Sequence, residues 1–259
     1  MLLVVDVGNT QTHFGVYRDG EEVVAEDWRF ATVRESTRDE LGARLSSLLA
    51  LRGLSFPDID RSIVSSTVPQ LNDEWAAMAQ RYLGHTMLVV GPTLRTGMPI
   101  RIDNPREVGA DRLVNSVAAY ARVHDTCVVV DFGTAITYDI VSAAGEYLGG
   151  IITPGAEISI DALYARAAKL PKVELAEPRA LIGKSTVEAI RSGIVFGFAG
   201  QVDGIVRRLR GELGEDTTVI ATGGLAAVLV PAVRETIDAV DDLLTLTGLR
   251  LIWERNRPQ

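Results

Sequence analysis

The chain has 259 residues, 47% hydrophobic and 23% charged, with 26 Lys and Arg against 34 Asp and Glu for a net charge of −8. That length suits one large or two small domains, and the composition excludes a disordered tail, a collagen-like repeat and a disulfide scaffold. The acidic balance repels a phosphodiester backbone, so no nucleic-acid partner is expected, and no apolar run approaches the roughly 18 residues of a membrane span. The single cysteine, Cys127, lies in an apolar run and has no partner for an internal disulfide, which suits a reducing cytoplasm.

In chain order, Leu2-Leu3-Val4-Val5 reads as a strand buried on both faces, with no basic leader before it. It runs through Asp6-Val7-Gly8-Asn9-Thr10-Gln11-Thr12 into a second strand, forming a hairpin. Ser36 to Leu51 carries Leu41, Leu45, Leu48 and Leu49 at helical spacing, with Gly53 beyond it as a stop. Ser62 to Thr67 is a short apolar strand ending in hydroxyl residues, and a helix is predicted from Pro69 to Tyr82, with proline at its start. Further helices are predicted over Glu107 to His124, Thr186 to Leu213 and Leu225 to Ile237. Between them lie strands at Val128-Val129-Val130 and over Thr218-Val219-Ile220-Ala221-Thr222-Gly223-Gly224, which ends in small or hydroxyl residues. Strands alternating with helices indicate α/β layering with parallel strands, and each half opens on an antiparallel hairpin.

The chain nearly repeats itself. Residues 2–21 laid over 127–146 give eight identities in twenty positions: Val4/Val129, Val5/Val130, Asp6/Asp131, Gly8/Gly133, Thr12/Thr137, Val16/Val141, Gly20/Gly145 and Glu21/Glu146. Two valine-rich strands agree by chance at apolar positions, but the matching Asp, Gly and Thr are not demanded by periodicity. Two similar halves are therefore expected, 1–116 and 117–259.

Asp6 to Thr12 is the first segment that carries chemistry. Gly8 permits a tight turn without a Cβ, and the backbone N–H groups and hydroxyls around it suit phosphate oxygens. Asp6 would stand at the phosphate end, where a carboxylate holds Mg²⁺ through water. The plain alternative is a hairpin turn, since Asp, Gly and Asn are ordinary turn residues. The second copy, Asp131-Phe132-Gly133-Thr134-Ala135-Ile136-Thr137, strengthens the phosphate reading, and a second carboxylate near phosphates calls for a cation. In Glu107-Val108-Gly109-Ala110-Asp111-Arg112 the carboxylate falls in the first turn of a helix. Asp111 is suited to accept a proton from a hydroxyl, and Arg112 to hold a carboxylate or phosphate; a capping aspartate and a surface arginine are the alternative. Gly149-Gly150-Ile151-Ile152-Thr153-Pro154-Gly155 and Thr222-Gly223-Gly224 are either pocket-shaping turns or punctuation. His13, His85 and His124 have no zinc-ligand spacing, and no phosphate loop of the Gly-x-x-x-x-Gly-Lys-Ser/Thr type is present.

These segments, in this order, resemble the type III pantothenate kinases of the acetate kinase/sugar kinase/Hsp70/actin superfamily. Ile182-Gly183-Lys184-Ser185-Thr186 leading into Ala189-Ile190-Arg191-Ser192-Gly193 adds to the match, which covers essentially the whole chain. The resemblance implies an α/β fold of two duplicated ribonuclease H-like (actin-like ATPase) halves around a central nucleotide cleft, a cytoplasmic homodimer, and ATP-dependent phosphorylation of pantothenate, the first step of coenzyme A biosynthesis. It implies that Asp6, Val7, Gly8, Asn9, Thr10, Gln11, Thr12 and His13 form the ATP phosphate loop, with no role of its own for Gln11. It further implies Asp111 as general base, with Gly109, Ala110, Arg112 and Thr186 at the substrate. Asp131 would bind K⁺ or NH₄⁺, Asp6 would hold Mg²⁺ through water, and Thr134 would contact ATP. At Ile102 the chain departs from an aromatic residue frequent in the family, so an aliphatic wall is expected there. A nucleotide-dependent regulator and a phosphatase or ATPase are the competing readings of the same fold.

Overall fold

In the computed structural model, residues 1–167, 169–233 and 235–257 are described. The strands are β1 (Leu2–Val7), β2 (Gln11–Tyr17), β3 (Glu26–Ala31), β4 (Arg61–Ser66), β5 (Leu88–Val89), β6 (Cys127–Phe132), β7 (Ala135–Val141), β8 (Tyr147–Pro154), β9 (Thr218–Thr222) and β10 (Ala239–Val240). The helices are α1 (Arg38–Ala50), α2 (Gln70–Met78), α3 (Ala110–Val123), α4 (Ala156–Arg166), α5 (Thr186–Leu213), α6 (Ala226–Leu229) and α7 (Leu244–Asn256). No helix among the described residues is long and apolar enough to cross a membrane.

Two five-stranded sheets have the same topology. The first runs β3-β2-β1-β4-β5 and the second β8-β7-β6-β9-β10, each with two antiparallel pairings followed by two parallel ones. The duplication read from the sequence is therefore a duplication of fold, two ribonuclease H-like halves. Its register needs one correction. Val7 pairs with Thr12 across a turn of residues 8–11, whereas Phe132 pairs with Ile136 across a shorter turn of residues 133–135. Beyond the turn the true equivalents are offset by one, so His13 and Thr137 occupy matching places, opposite Asp6 and Asp131. The identity of Thr12 with Thr137 is a coincidence of sequence, because a one-residue slip moves every side chain to the other face.

The compact units are residues 1–98, 103–118 and 243–259, and residues 99–102 and 119–242. The boundary between the units crosses α3, and α7 belongs to the first unit. The reason is an uncovered face. In the first unit Leu3, Val5, Val7 and Val64 pack with α1 and α2 through Leu41, Leu45, Leu71 and Trp75. The opposite face of β1 and β4 is covered by α7, whose Leu244, Leu246, Leu249 and Ile252 are buried. In the second unit, Val128, Val130, Tyr138 and Val219 pack against Val195, Val202 and Val206 of α5.

Local signals set several element ends. Thr37 caps α1 with a reciprocal pair to Glu40, and Ser185 caps α5 through the Glu188 N–H. The helix predicted from Leu225 to Ile237 is instead the short α6 followed by a 3₁₀ turn at Val230–Ala232. Pro231 has no N–H to continue the ladder.

Candidate active site

In the first unit, Asp6 lies one residue before the end of β1, half-buried, in register with His13 of β2 and Ser65 of β4. The turn beyond it is drawn tight by the Gly8 N–H, which donates to the Gln11 carbonyl at 3.0 Å, and a Cβ on Gly8 would stand 2.9 Å from that carbonyl oxygen. Asn9, Thr10 and Gln11 are exposed at the tip. Asn9 is steadied by Arg34, which donates to its Oδ1 at 3.1 Å, and by its own Nδ2 to Thr67 Oγ1 at 3.4 Å. Thr32 N–H donates to the Thr10 carbonyl at 2.9 Å. The Thr12 and His13 side chains are buried and held by neighbours, Thr12 by Thr32 Oγ1 at 2.9 Å and His13 by Asp27 Oδ2 at 2.8 Å. Within residues 6–13 the surface offered to a ligand is thus the stretch from Gly8 to Gln11.

Also in the first unit, Asp111 stands in the first turn of α3. Its Oδ1 accepts the Arg112 N–H at 2.9 Å and lies over Gly109, where a Cβ would come within 2.6 Å of that oxygen. Glycine at 109 is what lets the carboxylate fold back over the helix start. Burial is the dominant influence and holds the Asp111 carboxyl above the usual carboxylate range, against the opposing pull of the Arg112 N–H and guanidinium. The helix is locked from behind: Val114 meets Gly248 of α7, and Thr245 Oγ1 donates to Asn115 Oδ1 at 2.7 Å.

In the second unit the loop after β6 repeats the device. Gly133 N–H donates to the Ala135 carbonyl at 3.0 Å, and Thr134 is exposed at the tip. Asp131 stands in register with Thr137 on one side and Thr222 on the other. Two glycines close around it. Gly223, at φ +97°, is pressed so near Asp131 Oδ1 and the Phe132 backbone that a Cβ would collide with them. Gly155 is pressed equally against the Gly133 and Thr134 carbonyls, and its N–H donates to Thr134 at 3.1 Å. The glycine-rich stretches are therefore walls of the Asp131 loop and not simple punctuation. Ile102 sits against Gly149, in a segment tied to β8 by the Arg101 N–H to the Tyr147 carbonyl at 2.8 Å. Thr186 is exposed in the first turn of α5, and Gly183 is packed against the backbone of that turn.

Asp131 brings one carboxylate to this loop, an oxygen donor of the hard kind that suits a monovalent cation. Among the described residues no group of three or more His, Cys, Asp and Glu gathers to hold a metal. The Asp6 carboxylate before the Gly8 turn still fits Mg²⁺, which is bound by one or two carboxylates together with substrate phosphates.

The reading of individual residues missed the cross-strand rows His13–Asp6–Ser65 and Thr137–Asp131–Thr222. The signal was present, since both β4 and β9 end in hydroxyl residues.

Comparison with known proteins bears on the chain as a whole. The family model for type III pantothenate kinase matches residues 2–208. The type III pantothenate kinase of Moorella thermoacetica is 51% identical over 256 residues, covering 99% of this chain and 100% of that one. That of Geotalea uraniireducens is 49% identical over 257 residues, covering 99% of each. Among solved structures, the activator of 2-hydroxyisocaproyl-CoA dehydratase from Clostridium difficile, with bound ADPNP, superposes with a TM-score of 0.58 at 14% identity, over 98% of this chain and 95% of that one. At that identity the likeness shows the actin-like ATPase fold alone. The family match and the curated relatives span the chain, so it belongs to the type III pantothenate kinases.

Proposed function

We propose that the chain transfers the γ-phosphoryl group of ATP to the terminal hydroxyl of pantothenate, giving 4′-phosphopantothenate and ADP, with Asp111 as the proton acceptor. The observation that carries the base assignment is the desolvated Asp111 carboxylate folded over Gly109 at the start of α3. Phosphoryl transfer asks the protein mainly for positioning and charge compensation. The Gly8–Gln11 turn supplies N–H and hydroxyl groups for the phosphates, and Asp6 is the residue to receive Mg²⁺ through water. Asp131 is the residue to hold K⁺ or NH₄⁺, and Thr134 meets the nucleotide. Gly109, Ala110, Arg112 and Thr186 bind pantothenate. When bound, the cations neutralise charge on the phosphates. As the alcohol oxygen bonds to phosphorus and the bridging bond to ADP breaks, the hydroxyl proton passes to Asp111, which a carboxyl held above its ordinary range accepts readily.

The working unit is read as a cytoplasmic homodimer. Leu181 and Ile182, 68% and 80% exposed, and Val187 lie near Thr186 in sequence, and Ile158, Leu163 and Tyr164 of α4 are exposed as well. So much bare apolar surface suits a partner copy. The test is a coupled assay of ADP release with and without pantothenate and with and without K⁺. Release should need both, and Asp111→Asn should abolish it while the dimer persists. ADP release independent of pantothenate would support a hydrolase instead, and undiminished turnover in the Asp111 variant would remove the base assignment.

A further inference from the structure

Three hydroxyls stand in succession where β4 ends, at Ser65, Ser66 and Thr67. Two are committed to the backbone. Ser66 Oγ accepts the Val68 N–H and donates to the Val68 carbonyl, both at 3.0 Å, while Thr67 Oγ1 donates to the Val7 carbonyl at 3.2 Å. Ser65 differs. It is 0% exposed, and its Oγ is buried with no hydrogen-bond partner among the described residues. An unsatisfied buried hydroxyl is costly, and serine has no strand propensity to compensate.

Its surroundings show where a partner belongs. Paired residues on neighbouring strands share a face, so Ser65 stands in one row with Asp6 and His13, on the side of the sheet that α7 covers. The next position along that row, beyond β4, is the apolar Val90, and the neighbour one step back along β4 is Ile63. Asp6 is the polar group adjacent to it in the row.

We propose that Ser65 is a positioning residue for Asp6, its hydroxyl donating to the Asp6 carboxylate, directly or through one bound water, when the nucleotide is in place. The inference rests on the reading that Asp6 holds Mg²⁺ through water. A donor on the far side of the carboxylate fixes which oxygen faces the phosphate turn, as outer hydrogen bonds orient metal-binding carboxylates generally.

The experiment measures equilibrium binding of a non-hydrolysable ATP analogue to the full-length chain, with and without Mg²⁺, for the parent, Ser65→Ala and Asp6→Asn, alongside the thermal midpoint of each. Ser65→Ala is expected to weaken binding roughly tenfold in Mg²⁺, to leave Mg²⁺-free binding unchanged, and to keep or raise the thermal midpoint. Asp6→Asn should weaken Mg²⁺-dependent binding at least as much. If Asp6→Asn has that effect while Ser65→Ala binds as the parent does, or loses affinity equally with and without Mg²⁺, the role of Ser65 is overturned while that of Asp6 stands. If Asp6→Asn leaves Mg²⁺-dependent binding intact, the reading of Asp6 fails, and the proposal for Ser65 fails with it.

Discussion

At the scale of single residues, the base role proposed for Asp111 and the stability of the fold pull in opposite directions. Burial raises its carboxyl above the ordinary range, so folding favours the protonated form. The linked stability is therefore present at low pH and is lost as pH rises from the unfolded value through the folded one. At neutral pH, above the unfolded value, burial of this group is a cost to the fold. Asp111→Asn should raise the thermal midpoint at pH 7 while lowering turnover by at least about 10²-fold. The gain in midpoint should vanish at low pH, where the carboxyl is protonated in both states; a variant that melts below the parent at pH 7 would contradict this account. His85 gives the opposite sign. Burial lowers its pKa, against the Leu83 carbonyl and Asp60, and its Nε2 lies 2.8 Å from the buried Ser62 hydroxyl. A depressed histidine favours the neutral form, so its contribution is complete above the unfolded value of about 6.5 and is lost as pH falls from there through the lower folded value. Urea midpoints of the parent should fall between pH 7 and 5, and His85→Gln should flatten that slope. Identical slopes would show that other groups set it.

At the scale of elements, most strands and helices were legible because their signals are local. The helix predicted over Thr186 to Leu213 matches α5, with Ser185 at its start and Gly214, at φ +116°, at its end. The register after the Gly8 turn was not legible, because turn length is set by hydrogen bonds that a sequence overlay does not see. Helix crossings were equally hidden. Gly248 of α7 packs so closely on Val114 of α3 that a Cβ there would strike the Val114 carbonyl. Alanine is otherwise the better helix former by about 1 kcal/mol, so a surface glycine would gain from the change. Here the obstacle is backbone, and Gly248→Ala should destabilise the protein by about 1–3 kcal/mol as overpacked sites do. Val114 lies in the same helix as Asp111, one turn on, so kcat should fall in the same variant although position 248 touches no substrate. A stable, fully active Gly248→Ala protein would mean that the two helices separate without cost.

At the scale of the molecule, the twin loops announced the duplication because each carries its own Asp-x-Gly turn, but the return of the chain to its first half left no mark in composition or period. It follows from arithmetic of faces. The first sheet buries one side with α1 and α2, while Leu2 and Val4 of β1 and Ile63 of β4 are buried apolar side chains on the other, so a cover must come from elsewhere in the chain. That cover is α7, where Leu244, Leu246, Leu249 and Ile252 are all buried. Each such side chain contributes about 1.5–3 kcal/mol when buried, so their sum rivals the 5–15 kcal/mol by which a typical domain is stable. A chain ending at Asp242 should therefore keep the second unit folded and lose the first. Hydrogen exchange would read this directly, with amides of β1, β2 and β4 exchanging as in an unfolded chain while β6, β7 and β9 stay protected. Such a chain should also lose the nucleotide binding proposed for the Gly8 turn. Continued protection of β1 in it would mean that α1 and α2 suffice to hold the first sheet, and that α7 serves something other than its stability.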